Sequence, residues 1–145
     1  MLQLICKMEI YLQQKEVSVF YVTATSFPDG VKEAWEKLHK MIQATKGRNF
    51  FGISHGNENG GITYKAAVEE SFPNEAEKYG CGTSIIPQGE YLSITIHDYM
   101  NHLPLIGQAF RRLLAYPELD DITPCVEWYK SDKEVISIVR KKMNE

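Results

Sequence analysis

The sequence predicts an α+β fold built from a duplicated strand-helix-strand-strand unit, and three observations predict it. Period-two runs rich in β-branched and aromatic residues recur along the chain, as half-buried strands do. Two longer stretches carry apolar residues at helical spacing. The order of these elements is the same twice, in residues 17–70 and again in 90–141. With their flanks the pseudo-repeats run over about 8–70 and 88–142. At 145 residues, 43% of them hydrophobic and 24% charged, the chain has the size of one domain with a real core. A single domain over 1–145 is therefore expected. Two like halves can pack about a pseudo-two-fold axis and leave a groove, which suits a ligand and requires no catalytic machinery.

The elements follow in order. Leu2, Leu4, Cys6, Met8, Ile10 and Leu12 fall on one side of a period-two pattern, which predicts a half-buried first strand. Gln13 to Glu16 are a polar break. A second strand spans 17–25 and is punctuated by Phe27-Pro-Asp-Gly30. A helix over 29–45 places Val31, Ala34, Trp35, Leu38, Met41 and Ile42 on one stripe, with Gly47 to end it. Strands over 49–54 and 62–68 are joined by His55-Gly-Asn-Glu-Asn-Gly-Gly61, where Asn and Gly supply turn chemistry. Residues 71–88, polar and holding Pro73, Gly80, Gly82 and Pro87, predict a connection with a short helix near 74–79. A strand over 91–96 leads to a helix over 101–116, with Leu103, Ile106, Phe110, Leu113 and Leu114 as its stripe and Pro104 in its first turn. Cys125–Tyr129 and 135–139 form a hairpin over Lys130-Ser-Asp-Lys133.

Composition narrows the function. A net charge of −3 argues against an autonomous nucleic-acid binder, whose affinity comes from Lys and Arg on phosphates. No apolar run is long enough to cross a bilayer, and the first residues lack the features of a secretory leader. Cys6, Cys81 and Cys125 are odd in number and show no CxxC spacing, which predicts free thiols in a reducing cytoplasm. The Cys and His spacings do not match a zinc site. Gly56 to Gly61 is not followed by Lys-Ser/Thr and a helix, as a phosphate loop requires. Neither metal nor cofactor is expected.

Strand alternation sorts the candidate site residues. Leu92, Ile94 and Ile96 share one side, Tyr91, Ser93, Thr95 and His97 the other. Packing the aliphatic side on a helix buries the most apolar area, at about 25 cal/mol per Å². The mixed side is then left for solvent or a ligand. In the next strand Val126 and Trp128 share one side, and Cys125, Glu127 and Tyr129 the other. Trp128 is expected under the second long helix. Glu127 is a carboxylate in mid-strand, and burying a lone charge costs several kcal/mol or forces protonation. It needs an internal Lys or Arg, or a cation brought by a ligand; the alternative is a Glu on a solvated face. His97 and Asp98 are neighbours in a strand and point opposite ways, so they make a poor proton relay.

Four segments carry a family resemblance: 17–38, ending in Ala34-Trp-Glu-Lys-Leu38; Phe51-Gly-Ile-Ser-His-Gly56 with Ile62-Thr-Tyr-Lys-Ala-Ala67; Pro87-Gln-Gly-Glu-Tyr91; and Pro124-Cys-Val-Glu-Trp-Tyr129. Over about 8–141 the chain resembles the GyrI-like small-molecule-binding domains, which are also the effector-binding domains of bacterial multidrug-response and AraC-type transcription regulators. The resemblance implies an SHS2-type fold, an antiparallel sheet with two helices on one face and a ligand cleft on the other. It implies that Glu127 meets a lipophilic cation, with aromatic walls for which Tyr91, Tyr129, Tyr64, Phe51 and Trp128 are the candidates. The chain departs from the family in ending Val139-Arg-Lys-Lys142 where the family often has Ile-Pro. The function expected is a stand-alone cytoplasmic binding module without its own DNA-binding segment, with no direct nucleic-acid or membrane partner. One rival is a hydrolase of cyclopropane-containing alkylating agents, with Glu127 and Tyr129 as its catalytic residues. The other is a gyrase-inhibitor-like module whose partner is a protein, a regulator or gyrase.

Overall fold

A computed structural model of the chain describes residues 4–42 and 47–143. In chain order the elements are β1 (Glu9–Gln13), β2 (Val17–Thr23), α1 (Val31–Met41), β3 (Phe50–Gly56), β4 (Ile62–Glu69), α2 (Glu75–Tyr79), β5 (Gly82–Ile86), β6 (Gly89–His97), α3 (Pro104–Leu114), β7 (Cys125–Tyr129) and β8 (Glu134–Arg140). The fold is α+β. The chain makes two compact units: the first is Val17–Ile86, and the second joins the segment before it to the segment from Pro87 onward. The predicted end of the first long helix, residues 43–45, lies outside the described residues.

In the first unit the strand order is β3-β4-β2-β5. Cross-strand partners lie on the same face of a sheet. Phe20, Val68 and Phe50 therefore form one row, and Val22, Ala66 and Gly52 the next. Against this face α1 sets Ala34 and Leu38, and the chain just past its end adds Ile42, with Val31, Trp35 and Met41 beside them, as the stripe predicted. Tyr64 belongs to this buried layer: the Trp35 indole donates to its hydroxyl at 3.0 Å, and Phe27 stacks on its ring at 5.9 Å.

Strand β5 stands where the sequence predicts only a connection. Its buried side is thin, with Ile86 buried and Thr83 and Ile85 exposed, so no alternation signalled it. Gly82, one of the residues of the predicted connection, is a close approach: a Cβ there would lie 2.6 Å from the Tyr21 hydroxyl. The short helix expected near 74–79 is α2.

The loop before α2 is tied to Arg48. Its Nη1 donates to Glu75 Oε2 at 2.9 Å, and its Nη2 to Glu75 Oε1 at 2.6 Å and to the Glu69 carbonyl at 3.0 Å. The Ser71 backbone N–H donates to Glu75 Oε1 at 2.8 Å.

In the second unit the order is β1-β6-β8-β7. Leu92 opposes Val139, Ile94 opposes Ser137 and Ile96 opposes Val135. These rows carry the α3 side chains Ala109 and Leu113, so the aliphatic side of β6 is helix-covered as predicted. Leu113 is fully buried. Leu113→Ala is expected to lose about 2–5 kcal/mol, read as a lower urea midpoint with an unchanged slope.

Two expectations here are corrected. Leu103 and Leu114, placed on the buried stripe of α3, are 52% and 55% exposed. Ile10 and Leu12, placed on the buried side of the first strand, are 65% and 60% exposed. β1 is the marginal strand, paired with β6, whereas α3 packs on β6 and β8. The residue of β1 that packs is Tyr11, on the opposite face.

Among the described residues no helix is long and apolar enough to cross a membrane. Among them, too, no three His, Cys, Asp or Glu side chains converge as metal ligands would.

Candidate functional site

Glu127 lies in the middle of β7 and opposite Ser137 of β8, which in turn opposes Ile94 of β6. That register puts Glu127 on the α3 side of the sheet. Tyr129 opposes Val135 on the same side, and both Tyr129 and Cys125 pack against the α3 cluster. Trp128 opposes Ile136 on the other face, with Tyr91 and Tyr11. The expectation that Trp128 packs under the helix is thus reversed. Alternation says which residues share a side; here both sides of β7 are apolar enough to be buried, so it did not say which side meets the helix.

The Glu127 surroundings are aromatic and polar at once. The residue is 8% exposed. Tyr129 donates its hydroxyl to Glu127 Oε1. Tyr99 stands edge-on to the Tyr129 ring, with centroids 5.4 Å apart, and is itself buried. The Tyr99 hydroxyl donates to the Ser131 carbonyl at 3.4 Å. Ser137 is fully buried beside Glu127, and its Oγ has no hydrogen-bond partner among the described residues. Burial, and then the nearby Glu127 charge, push the Cys125 thiol up to about 11. That thiol is therefore a filler at neutral pH.

The other predicted residues lie elsewhere. Tyr91 is fully buried, gives its hydroxyl to the Pro87 carbonyl at 2.7 Å, and is pushed up to about 12 mainly by burial. With Tyr11 and Trp128 it forms an aromatic group, with ring centroids 6.4 and 6.1 Å from Tyr11. The Trp128 Nε1 is buried and has no hydrogen-bond partner among the described residues. Tyr64 sits under α1 in the first unit. Phe51, opposite Ala67, is on the sheet face away from α1. The structure thus joins Glu127 with Tyr129, joins Tyr91 with Trp128 on the reverse face, and puts Tyr64 and Phe51 in the other unit. Tyr99, Ser137 and Tyr11 were missed. Tyr99 follows Asp98, which has a φ of 52°, and no sequence period extends through such a turn.

A groove of about 550 Å³ in the first unit is lined by Ser18, Glu70, Asn74, Glu77, Thr83 and Ser84 among others. It contains none of the predicted site residues. Its lining mixes these polar and acidic side chains with Ala76 and Ile85 and holds no aromatic ring.

No protein-family model matches the sequence, and no curated protein matches it either. The fold is shared with solved structures. An integron cassette protein from the mobile metagenome of Vibrio cholerae superposes with a TM-score of 0.70 at 15% identity, over 93% of this chain and 95% of that one. SAV2435 bound to tetraphenylphosphonium superposes at 0.60 and 10% identity, over 93% and 94%. A hydrolase from Listeria innocua superposes at 0.54 and 13% identity, over 92% and 90%. At such identities the likeness is one of fold.

Proposed function

We propose that this chain binds small lipophilic cations at Glu127, the ligand class of the GyrI-like effector-binding domains it resembles, although Glu127 lies on the α3 side of the sheet and not on the face away from the helices where the resemblance implies a cleft. The observation that supports this most is the setting of that carboxylate. It is 8% exposed in mid-strand and accepts the hydroxyl of Tyr129, whose ring is met edge-on by Tyr99. Charge attraction strengthens as water is excluded. A lipophilic cation is weakly hydrated, so it loses little on entering such a place. Aromatic faces add about 0.5–2 kcal/mol each. The structure of SAV2435 with tetraphenylphosphonium supports the choice of ligand class. The proposed site is Glu127, Tyr129 and Tyr99; Tyr91, Trp128, Tyr64 and Phe51 stand outside it.

Titration calorimetry with tetraphenylphosphonium tests this. Saturable one-to-one binding is expected, and no binding at millimolar ligand would refute it. Incubation with a cyclopropane-containing alkylating agent separates binding from hydrolysis. Hydrated product beyond one equivalent would replace the binding reading by the enzymatic one.

A further inference from the structure

Three side chains far apart in sequence meet in the second unit. The segment before β1 pairs with the end of β6: Cys6 N donates to the Thr95 carbonyl at 2.9 Å, and His97 N to the Leu4 carbonyl at 2.8 Å. The β6–β8 register sets His97 opposite Glu134. As a result Cys6 Sγ lies 3.2 Å from His97 Nε2, and His97 Nδ1 lies 3.3 Å from Glu134 Oε2. The carboxylate favours the tautomer with its proton on Nδ1, which turns the Nε2 lone pair toward the thiol. His97 and Glu134 are 40% and 34% exposed, and Cys6 is half-buried, so a molecule from solution can reach the sulfur.

We propose that Cys6 is a nucleophile for soft carbon electrophiles of the α,β-unsaturated carbonyl class, with His97 as its base and Glu134 positioning the imidazole. The step is an addition. A C–S bond forms at the β-carbon as the thiol proton passes to His97 Nε2. The displaced π pair becomes an enolate, and the imidazolium returns the proton to the α-carbon. Nothing leaves and nothing is oxidised. The enolate spreads its charge over oxygen and the α-carbon and is quenched by the imidazolium proton, so the step asks less of fixed oxyanion donors than the localised charge of an acyl-transfer intermediate would.

Burial, then the charges of Glu9 on β1 and Glu134 on β8, raise the Cys6 thiol above its ordinary value. The sulfur is therefore protonated at neutral pH, and the base acts during the attack. This makes the role of His97 measurable. Cys81 and Cys125 are internal references, both raised chiefly by burial.

The test is labelling by N-ethylmaleimide, followed by intact mass and peptide mapping. At about pH 7 Cys6 is expected to react at least tenfold faster than Cys81 or Cys125. His97→Gln is expected to slow Cys6 at least tenfold at that pH. The two proteins should converge at alkaline pH, above the raised range of the Cys6 thiol, where thiolate forms without help. Glu134→Gln should slow it several-fold, and Glu134→Asp should restore most of the rate. Equal rates in wild type and His97→Gln at neutral pH would overturn the proposal. So would a gap that persists unchanged at high pH, which marks a structural role. The wild-type comparison alone also decides: Cys6 reacting no faster than Cys125 would overturn the proposal without any variant.

Discussion

Glu75→Ala is expected to remove about 3–5 kcal/mol of stability. Glu75 is 1% exposed and Arg48 9%, and the two are joined by two hydrogen bonds. Deleting the carboxylate leaves a guanidinium buried with one partner fewer. Its Nε already has no hydrogen-bond partner among the described residues, so little there remains to compensate the charge. The cost reflects the stranded cation more than the worth of the pair. Arg48→Met combined with Glu75→Leu should therefore recover most of the loss. Chemical denaturation followed by circular dichroism checks both. A Glu75→Ala loss below about 1 kcal/mol would show that the pair is not buried in solution.

The same pair sets an acid limit. Burial alone would raise Glu75, but the Arg48 and Ser71 hydrogen bonds, with the Arg48 and Lys78 charges, bring it below its ordinary 4.5. Burial likewise opposes, and the Thr123, Ile122 and Arg140 hydrogen bonds outweigh it, at Asp120, which is held at about 2 against an ordinary 3.8. Both carboxylates are depressed in the folded state. Their contribution is complete above about pH 4.5 and is lost as pH falls through the folded values, toward about 2 for Asp120. Thermal melts between pH 6 and pH 2 should fall most steeply in the lower half of that range. Asp120→Asn should flatten the fall.

The long periodic elements were legible because each has one face that must be buried. Ala34, Leu38 and Ile42 spell α1, and Leu92, Ile94 and Ile96 name the helix-covered side of β6. β5 was not legible, since hydrogen bonding to β2 makes it a strand while Ile86 is its only buried side chain. Glu127 stood out in mid-strand because a charge between Val126 and Trp128 is costly. Its side of the sheet was not legible, because that depends on the register of β7 with β8. The Cys6–His97–Glu134 contact was hidden for a similar reason. It depends on the Leu4–Cys6 segment lying beside β6, and adjacency between strands 91 residues apart leaves no spacing to read.

Glu127→Gln is expected to weaken tetraphenylphosphonium binding at least tenfold, about 1.4 kcal/mol. Glutamine keeps the shape and still accepts the Tyr129 hydroxyl through its amide oxygen, so the change isolates the charge. Tyr129→Phe keeps the ring and removes the hydroxyl, and should cost less. Neutral triphenylphosphine oxide controls for greasiness: it should bind weakly, and alike, to wild type and Glu127→Gln. The dissociation constant of tetraphenylphosphonium for wild type and Glu127→Gln, measured side by side on folded protein, tests the central claim most directly. A rise of tenfold or more with the neutral probe unmoved is the predicted result, and equal affinity in the two proteins would contradict it.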